Sequence, residues 1–209
     1  MSEQNTSSPT NTRSLYYFPI LHSRADLGGF EDQVAARAIE KMGRQQWEEQ
    51  CRAIEQGWRE IKRVINEIDL CYPRCRLYQD GLPICGKELK IVSDLAQSGS
   101  HNHELLLTLI NRGATLMGTE SLDLLLAEYK LIQSFLSGGS APDPTQMEAE
   151  GRLLLQERDS FIARRINETL EPGQTGLLFL GMLHSVAEGL AEDIAVRYPI
   201  VRPLPLTNP

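Results

Sequence analysis

The chain has 209 residues, of which 41% are hydrophobic and 23% charged, a composition typical of one folded domain with a sizeable core. Its formal net charge of -7 argues against a general nucleic-acid binder, which needs clustered lysine and arginine to displace counterions from phosphates. No stretch reaches the roughly 18 uninterrupted apolar residues of a membrane-spanning helix. We therefore expect neither a nucleic-acid nor a membrane partner.

The N-terminal stretch predicts a tail outside the fold. Residues 1–13 are rich in serine, threonine and asparagine and have neither the basic start nor the apolar core of a signal peptide, so we expect a disordered tail. Residues 14–209 are expected to form a single α/β domain, because the usual domain size leaves little room for a second one.

The chain contains the four cysteines Cys51, Cys71, Cys75 and Cys85. A chain of this size without a secretion signal needs no disulfide framework, so these residues indicate reduced thiols and a cytoplasmic protein. The last three could instead bind zinc together with a histidine, His101 or His103. Their spacing is poor for a zinc knuckle, which favours ordinary thiols.

The first predicted strand is the aromatic and apolar run over residues 15–21, which is followed by polar residues and two glycines. From residue 30 to about residue 69, apolar residues recur three or four apart, which predicts helix, and Gly43 indicates a break between two helices. Residues 76–79 are the second strand candidate. An aspartate, a glycine and a proline that suit a turn end it.

Two helical patterns follow at residues 88–96 and 103–111, each with a glycine beyond its end. The brief β-compatible run over residues 114–120 is the third strand candidate. Ser121 can cap the helix that is expected over residues 122–136.

A loop rich in glycine, serine and proline spans residues 137–144, and a long helix is expected over residues 145–170. The fourth strand covers residues 175–180, and after a short helix the fifth covers residues 194–198. Strands that alternate with helices predict an α/β fold with a mainly parallel sheet of about five short strands and helices on both faces.

Four of the strands end on groups that could do chemistry, namely His22, Asp80, Glu120 and His184. Ligands in α/β folds bind outside the carboxyl ends of parallel strands, so we expect these groups to converge. His184 follows Gly181, whose missing side chain allows a tight turn or a close approach to a ligand. Its imidazole could bind a metal or act as a general base, or it could simply bond a backbone carbonyl.

His22 repeats this arrangement after the first strand, and the loop beyond it carries Ser23, Arg24 and Asp26. Free amides at the start of the next helix attract anions, so this loop, with Arg24, could bind a carboxylate or phosphate of a substrate. Asp26 could orient a catalytic water or act as a base. The alternative is a polar surface loop in which Asp26 only caps the turn.

Glu120 could complete a set of two histidines and one carboxylate for a divalent metal such as zinc, manganese or cobalt, or it could act as an acid or base. It could equally complement the dipole of the helix that follows. Asp80 could share the role of the base, although an aspartate before Gly81 is a common turn pair. Arg158 could position an anionic group, or pair with a neighbouring acid such as Glu157.

Residues 157–184 also carry a family-like pattern. An arginine-containing helix with a small residue and isoleucine is followed by Gly173, an apolar strand and a Gly-x-x-His sequence that ends at His184. This pattern resembles the end of the TIKI/TraB group, which is linked more remotely to erythromycin-esterase-like and ChaN-like proteins. The resemblance implies metal-assisted hydrolysis, with an earlier Gly-x-x-His and an acidic residue. Pro19 stands where that earlier glycine would precede His22.

The leading hypothesis is a cytoplasmic hydrolase of a small-molecule or peptide substrate, in which His22, Glu120 and His184 bind a divalent metal that activates water. Two alternatives remain open. One is a metal-free esterase with His184 as general base, and the other is a non-enzymatic domain that binds a ligand or partner at the same edge. A homo-oligomer is also left open.

Overall fold

The computed structural model describes residues 12–23, 26, 31–136 and 144–200. The predicted tail lies outside this part of the chain as far as residue 11, and the first strand already begins at Arg13. Arg24 and most of the predicted loop after residue 136 also lie outside the described residues.

The elements follow the predicted order closely. In chain order they are β1 (Arg13–Ile20), α1 (Glu31–Met42), α2 (Arg44–Glu67), β2 (Cys75–Gln79), α3 (Glu88–Gln97), α4 (His101–Asn111), β3 (Thr115–Met117), α5 (Leu122–Leu136), α6 (Pro144–Thr169), β4 (Thr175–Gly181) and β5 (Ile194–Arg197). The predicted break between the first two helices is confirmed at Gly43, whose φ of 83° is a left-handed conformation that favours glycine. The short helix expected after β4 is a 3₁₀ turn at Ala187–Gly189.

The five strands form one sheet in the spatial order β3-β2-β4-β1-β5, and every neighbouring pair is parallel. This confirms the predicted α/β fold. All five strands therefore end at the same edge of the sheet. The central strand β4 has β1 on one side and β2 on the other, so the residues that follow these three strands are placed side by side.

Helices cover both faces of the sheet. Successive side chains of a strand point to opposite faces, and in β4 Leu177 and Phe179 pack in the core beneath α2, α3 and α4, whereas Leu178 and Leu180 pack against α6. All four side chains are fully buried. Burial on both faces explains why the strand is a continuous apolar run rather than an alternating one.

The third strand is shorter than the sequence indicates. Its ladder stops at Met117, because the hydroxyl of Thr119, rather than a backbone oxygen, accepts the hydrogen bond from the backbone N–H of Gln79 at 2.9 Å. Glu120 pairs with Pro83 in an isolated parallel bridge. The chain thus leaves the regular sheet before Glu120 and still delivers its carboxyl group to the edge where the strands end.

None of the helices in the described part of the chain combines the length and the apolar character needed to cross a bilayer.

Candidate active site

The ends of three neighbouring strands bring Asp80 together with both predicted histidines. Oδ2 of Asp80 accepts a hydrogen bond from the backbone N–H of Gly181 at 2.8 Å and lies 3.2 Å from Nε2 of His22. The same oxygen lies 3.6 Å from Nε2 of His184. The convergence expected from the sequence is therefore present, and its centre is Asp80, which was predicted either to share the role of the base or to form an ordinary turn with Gly81.

Gly181 makes this convergence sterically feasible. A Cβ atom at this position would lie 2.8 Å from Oδ2 of Asp80, closer than real Cβ contacts allow. It would also lie 3.6 Å from Nε2 of His22 and 3.6 Å from Cδ2 of His184. The three polar side chains thus surround the space that a side chain at this position would fill, and the backbone approaches them closely because it carries none.

Arg158 joins Asp80 to Glu120. Its Nη2 donates to Oδ1 of Asp80 at 2.9 Å and to Oε1 of Glu120 at 2.8 Å, while its Nε donates to Oε2 of Glu120 at 2.6 Å. Its Nη1 donates to Glu128 on α5, and the backbone N–H of Gly81 donates to Oε1 of Glu120. Because the guanidinium of Arg158 is already bound to three carboxylates, it orients Asp80 and Glu120 and is not available to bind an anionic substrate.

His184 is held from its other side by Asp159, one residue beyond Arg158 on α6. Nδ1 of His184 lies 2.5 Å from Oδ1 of Asp159, whose Oδ2 accepts a hydrogen bond from the backbone N–H of Ser185 at 2.9 Å. Burial lowers the pKa of His184, but Asp159 and Asp80 outweigh this and raise it to about 9. The imidazole is therefore protonated and positively charged at neutral pH.

The remaining ionisable groups of the site also have shifted pKa values. Burial raises the pKa of Asp80, yet the hydrogen bonds with His184 and His22 hold it well below its ordinary value. Burial lowers the pKa of His22, and the hydrogen bond with Asp80 raises it above the ordinary value. Burial raises the pKa of Glu120 against the opposing effect of Arg158. Opposite shifts on neighbouring groups are typical of functional sites.

No protein-family model, no curated protein and no solved structure matches this chain. The resemblance of residues 157–184 to the TIKI/TraB group stays a prediction.

The metal set predicted from the sequence is not assembled as expected. Both oxygens of Glu120 are engaged by Arg158, and Glu120 follows the edge strand β3, which borders β2 and lies away from the strands that precede His22 and His184. Among the residues that the structure describes, no group of three or more histidine, cysteine and acidic side chains is arranged to hold a metal ion. Glu120 therefore does not fit as a third ligand of the predicted set, and a bound divalent metal stays a prediction.

Within the described part of the chain, the cysteines belong to no such group either. All four cysteines are free, and burial raises the pKa of the Cys75 thiol to about 11, which keeps it protonated and a poor metal ligand. The interpretation of these residues as ordinary reduced thiols stays a prediction.

Asp26 lies near His22 but contacts other partners. Its Oδ2 accepts hydrogen bonds from the backbone N–H and the hydroxyl of Ser23, and its Oδ1 accepts from the hydroxyl of Ser100. Asp26 thus links Ser23 to Ser100 rather than joining the two histidines around Asp80. Arg24, the other predicted residue of this loop, lies outside the described residues.

The two histidines differ in their access to ligands. The His22 side chain is 41% exposed, whereas that of His184 is 5% exposed. His22 borders a groove of about 300 Å³ whose wall includes Trp47, Cys51 and Ile54 from α2. A second recess of about 460 Å³ lies beside His184 and Tyr17. Of the groups around Asp80, His22 is the one that a substrate in the first groove would meet.

Sequence reasoning missed Asp159 and Glu128 as partners of the site. Asp159 is adjacent to Arg158, and successive residues of a helix point in directions about 100° apart, so one helix turn can serve both His184 and Asp80. The signal in the sequence was an arginine–aspartate pair on the helix before β4. Nothing in the sequence indicated which strand ends each member of the pair would reach.

Proposed function

We propose that this protein is a hydrolase in which His22 acts as the general base and Asp80 orients it. One observation carries the proposal: two imidazole rings meet on a single oxygen of a buried carboxylate at the carboxyl edge of a parallel sheet. Such a carboxylate–histidine pair fixes the tautomer of the ring and stabilises the imidazolium that forms during proton transfer. The exposed position of His22 beside a groove supports its role as the group that contacts substrate.

The surrounding charges support the same assignment. Arg158 and protonated His184 keep Asp80 ionised, so Asp80 accepts a hydrogen bond from Nε2–H of His22. The neutral His22 ring then carries its lone pair on Nδ1. With that nitrogen His22 takes a proton from a water molecule as the water oxygen attacks the carbonyl carbon of an ester or amide. The bond to the leaving group breaks, and the same proton passes to the leaving group.

The substrate class and the cellular location expected from the sequence are part of this proposal. We propose a small-molecule or peptide substrate, a cytoplasmic location consistent with four free cysteines, and no membrane-bound substrate. A homo-oligomer remains part of the proposal, and light scattering of the purified full chain decides it.

The test is hydrolysis of a panel of ester and peptide substrates by the wild type and two variants, His22→Gln and Asp80→Asn. We expect each variant to lose at least about 100-fold in kcat, the size typical of a lost general base. Asp193→Asn is the control, because it breaks an ion pair with Arg13 at the opposite edge of the sheet. We expect the activity of this variant to equal that of the wild type.

The pH profile gives a second measurement. We expect kcat/KM to rise with pH through the pKa of His22, which lies above the ordinary histidine value. Activity that His22→Gln leaves intact would contradict the proposal, as would ligands that stabilise the protein without being turned over. Activity that a chelator abolishes and zinc, manganese or cobalt restores would replace the metal-free mechanism with the metal-assisted one.

A further inference from the structure

A second cluster of polar side chains lies next to Ser23, the residue that follows His22. Asp26, Ser100 and His103 are all buried, and Ser100 is the N-cap of α4. The Ser100 hydroxyl donates to Oδ1 of Asp26 and lies 2.7 Å from Nδ1 of His103, which itself lies 3.3 Å from the same aspartate oxygen. The other aspartate oxygen binds the backbone N–H of Ser23 at 2.7 Å and its hydroxyl at 2.8 Å.

The directions of these hydrogen bonds follow from counting protons. The single hydroxyl proton of Ser100 goes to Asp26, so Nδ1 of His103 must carry a proton and donate it towards Ser100. The serine oxygen also accepts from the backbone N–H of His103 at 3.3 Å. Serine, histidine and aspartate occur together here without forming a nucleophilic triad, because the aspartate binds the serine directly and the serine is fully buried.

The cluster connects a rigid element to the residue next to His22. Helix α4 is anchored by Leu105, Leu106 and Leu109, which all belong to the hydrophobic core. Asp26 ties this helix to Ser23, which directly follows His22 in the chain. Burial raises the pKa of Asp26, but its hydrogen bonds lower it to about 2, so the tie carries a full negative charge at neutral pH.

We propose that Asp26 and Ser100 are positioning residues that tie Ser23, the residue after His22, to the start of α4, so that the His22 imidazole keeps its contact with Asp80. This inference rests on the proposed function of His22. The need for such a device is physical: the His22 side chain is 41% exposed, and a partly exposed side chain samples several rotamers unless its backbone and neighbours restrict it. A base that strays by about 1 Å from its productive position loses up to about 100-fold in rate.

The test uses the full chain with Ser100→Ala, which removes the hydroxyl and keeps the charge of Asp26. We expect kcat to fall about 10-fold with KM little changed, because the groove is intact while the base is misplaced. Ser100→Thr, which retains a hydroxyl, should restore kcat. Ser93→Ala is the matched control, since the Ser93 hydroxyl bonds only within α3, to the backbone oxygen of Leu89. It should leave kcat unchanged.

An NMR titration of the His22 ring provides a readout that does not depend on turnover. In the Ser100→Ala variant we expect the pKa of His22 to fall towards its ordinary value, because contact with Asp80 is lost for part of the time. In the part of the chain that the structure describes, the titratable and charged groups facing His22 are Asp80, Asp26, Arg158 and His184, with Glu31, Glu55 and His101 along the groove. Ser100→Ala replaces none of these groups, and Asp26 keeps its hydrogen bonds from Ser23.

The outcomes separate this inference from the proposed function. An unchanged His22 titration together with an unchanged kcat in Ser100→Ala would overturn the positioning role, even if the variant is less stable through loss of its helix cap. An equal change in Ser93→Ala would also overturn it. If His22→Gln keeps full activity, the proposed function fails, while the NMR titration of the Ser100 variants still decides whether the cluster holds His22 on Asp80.

Discussion

Replacing Asp159 by asparagine tests the electrostatics of the site most directly. Asp159 contacts Nδ1 of His184 at 2.5 Å, and together with Asp80 it raises the pKa of this buried imidazole from 6.5 to about 9. A group with a raised pKa in the folded state binds its proton more tightly there than in the unfolded chain. Its contribution to stability is fully present below pH 6.5 and is lost as the pH rises through 9.

The magnitude follows from the size of the shift. Each pKa unit corresponds to about 1.4 kcal/mol, so the wild type should lose up to about 3 kcal/mol of unfolding free energy between pH 6 and pH 9 through His184. The side chain is only 5% exposed, so solvent screening reduces this value little. Asp159→Asn should destabilise the protein at pH 6 and flatten the decline towards pH 9, because asparagine cannot stabilise the imidazolium by charge.

The measurement is urea unfolding at pH 6, 7, 8 and 9, followed by the fluorescence of Trp47 and Trp58. Asp193→Asn serves as the control, because its partner Arg13 keeps its charge throughout this range and the loss should be independent of pH. The difference between wild type and variant isolates His184 from other groups that titrate in the same window. Parallel pH dependences for the wild type and Asp159→Asn would refute the reasoning.

Two further predictions concern the residues around Asp80. Arg158→Met should destabilise the protein by about 3 to 5 kcal/mol in urea unfolding, because the buried Glu120 loses the cation that binds both of its oxygens and Asp80 loses one of its positively charged neighbours. A loss below about 1 kcal/mol would show that the carboxylates are solvated. Gly181→Ala should cost about 1 to 3 kcal/mol and shift the NMR titration of His22, because the added Cβ displaces the Asp80 carboxyl. An unshifted titration would mean that Asp80 does not depend on the close approach of this backbone.

The order and type of the elements could be predicted from local patterns alone. Helical periodicity with the break at Gly43, and the apolar run of β4 bounded by glycines, correspond to elements found within a residue or two of their expected bounds. The strand after Gly113 was predicted too long, because a hydroxyl from Thr119 takes the place of a backbone acceptor in the ladder. This hydrogen bond depends on the neighbouring strand β2, so the local sequence pattern around Thr119 could not predict it.

The placement of polar groups at the strand ends could also be predicted from the sequence. His22, Asp80, Glu120 and His184 each follow an apolar run, and parallel strands necessarily end at one edge of the sheet. From the sequence, Glu120 was predicted to bind a metal together with the two histidines, and Asp80 was predicted to share the role of the base or to form a turn.

The partners of these groups were decided by the tertiary structure. The sheet order places β4 between β1 and β2, so Asp80 meets both histidines, while Glu120 follows the edge strand β3 and turns to Arg158. Strand order is set by how the helices pack on the two faces, and that packing depends on residues far apart in the chain. The sequence by itself determined which chemical groups reach the edge where the strands end, and the fold determined which of them contact and hydrogen-bond one another.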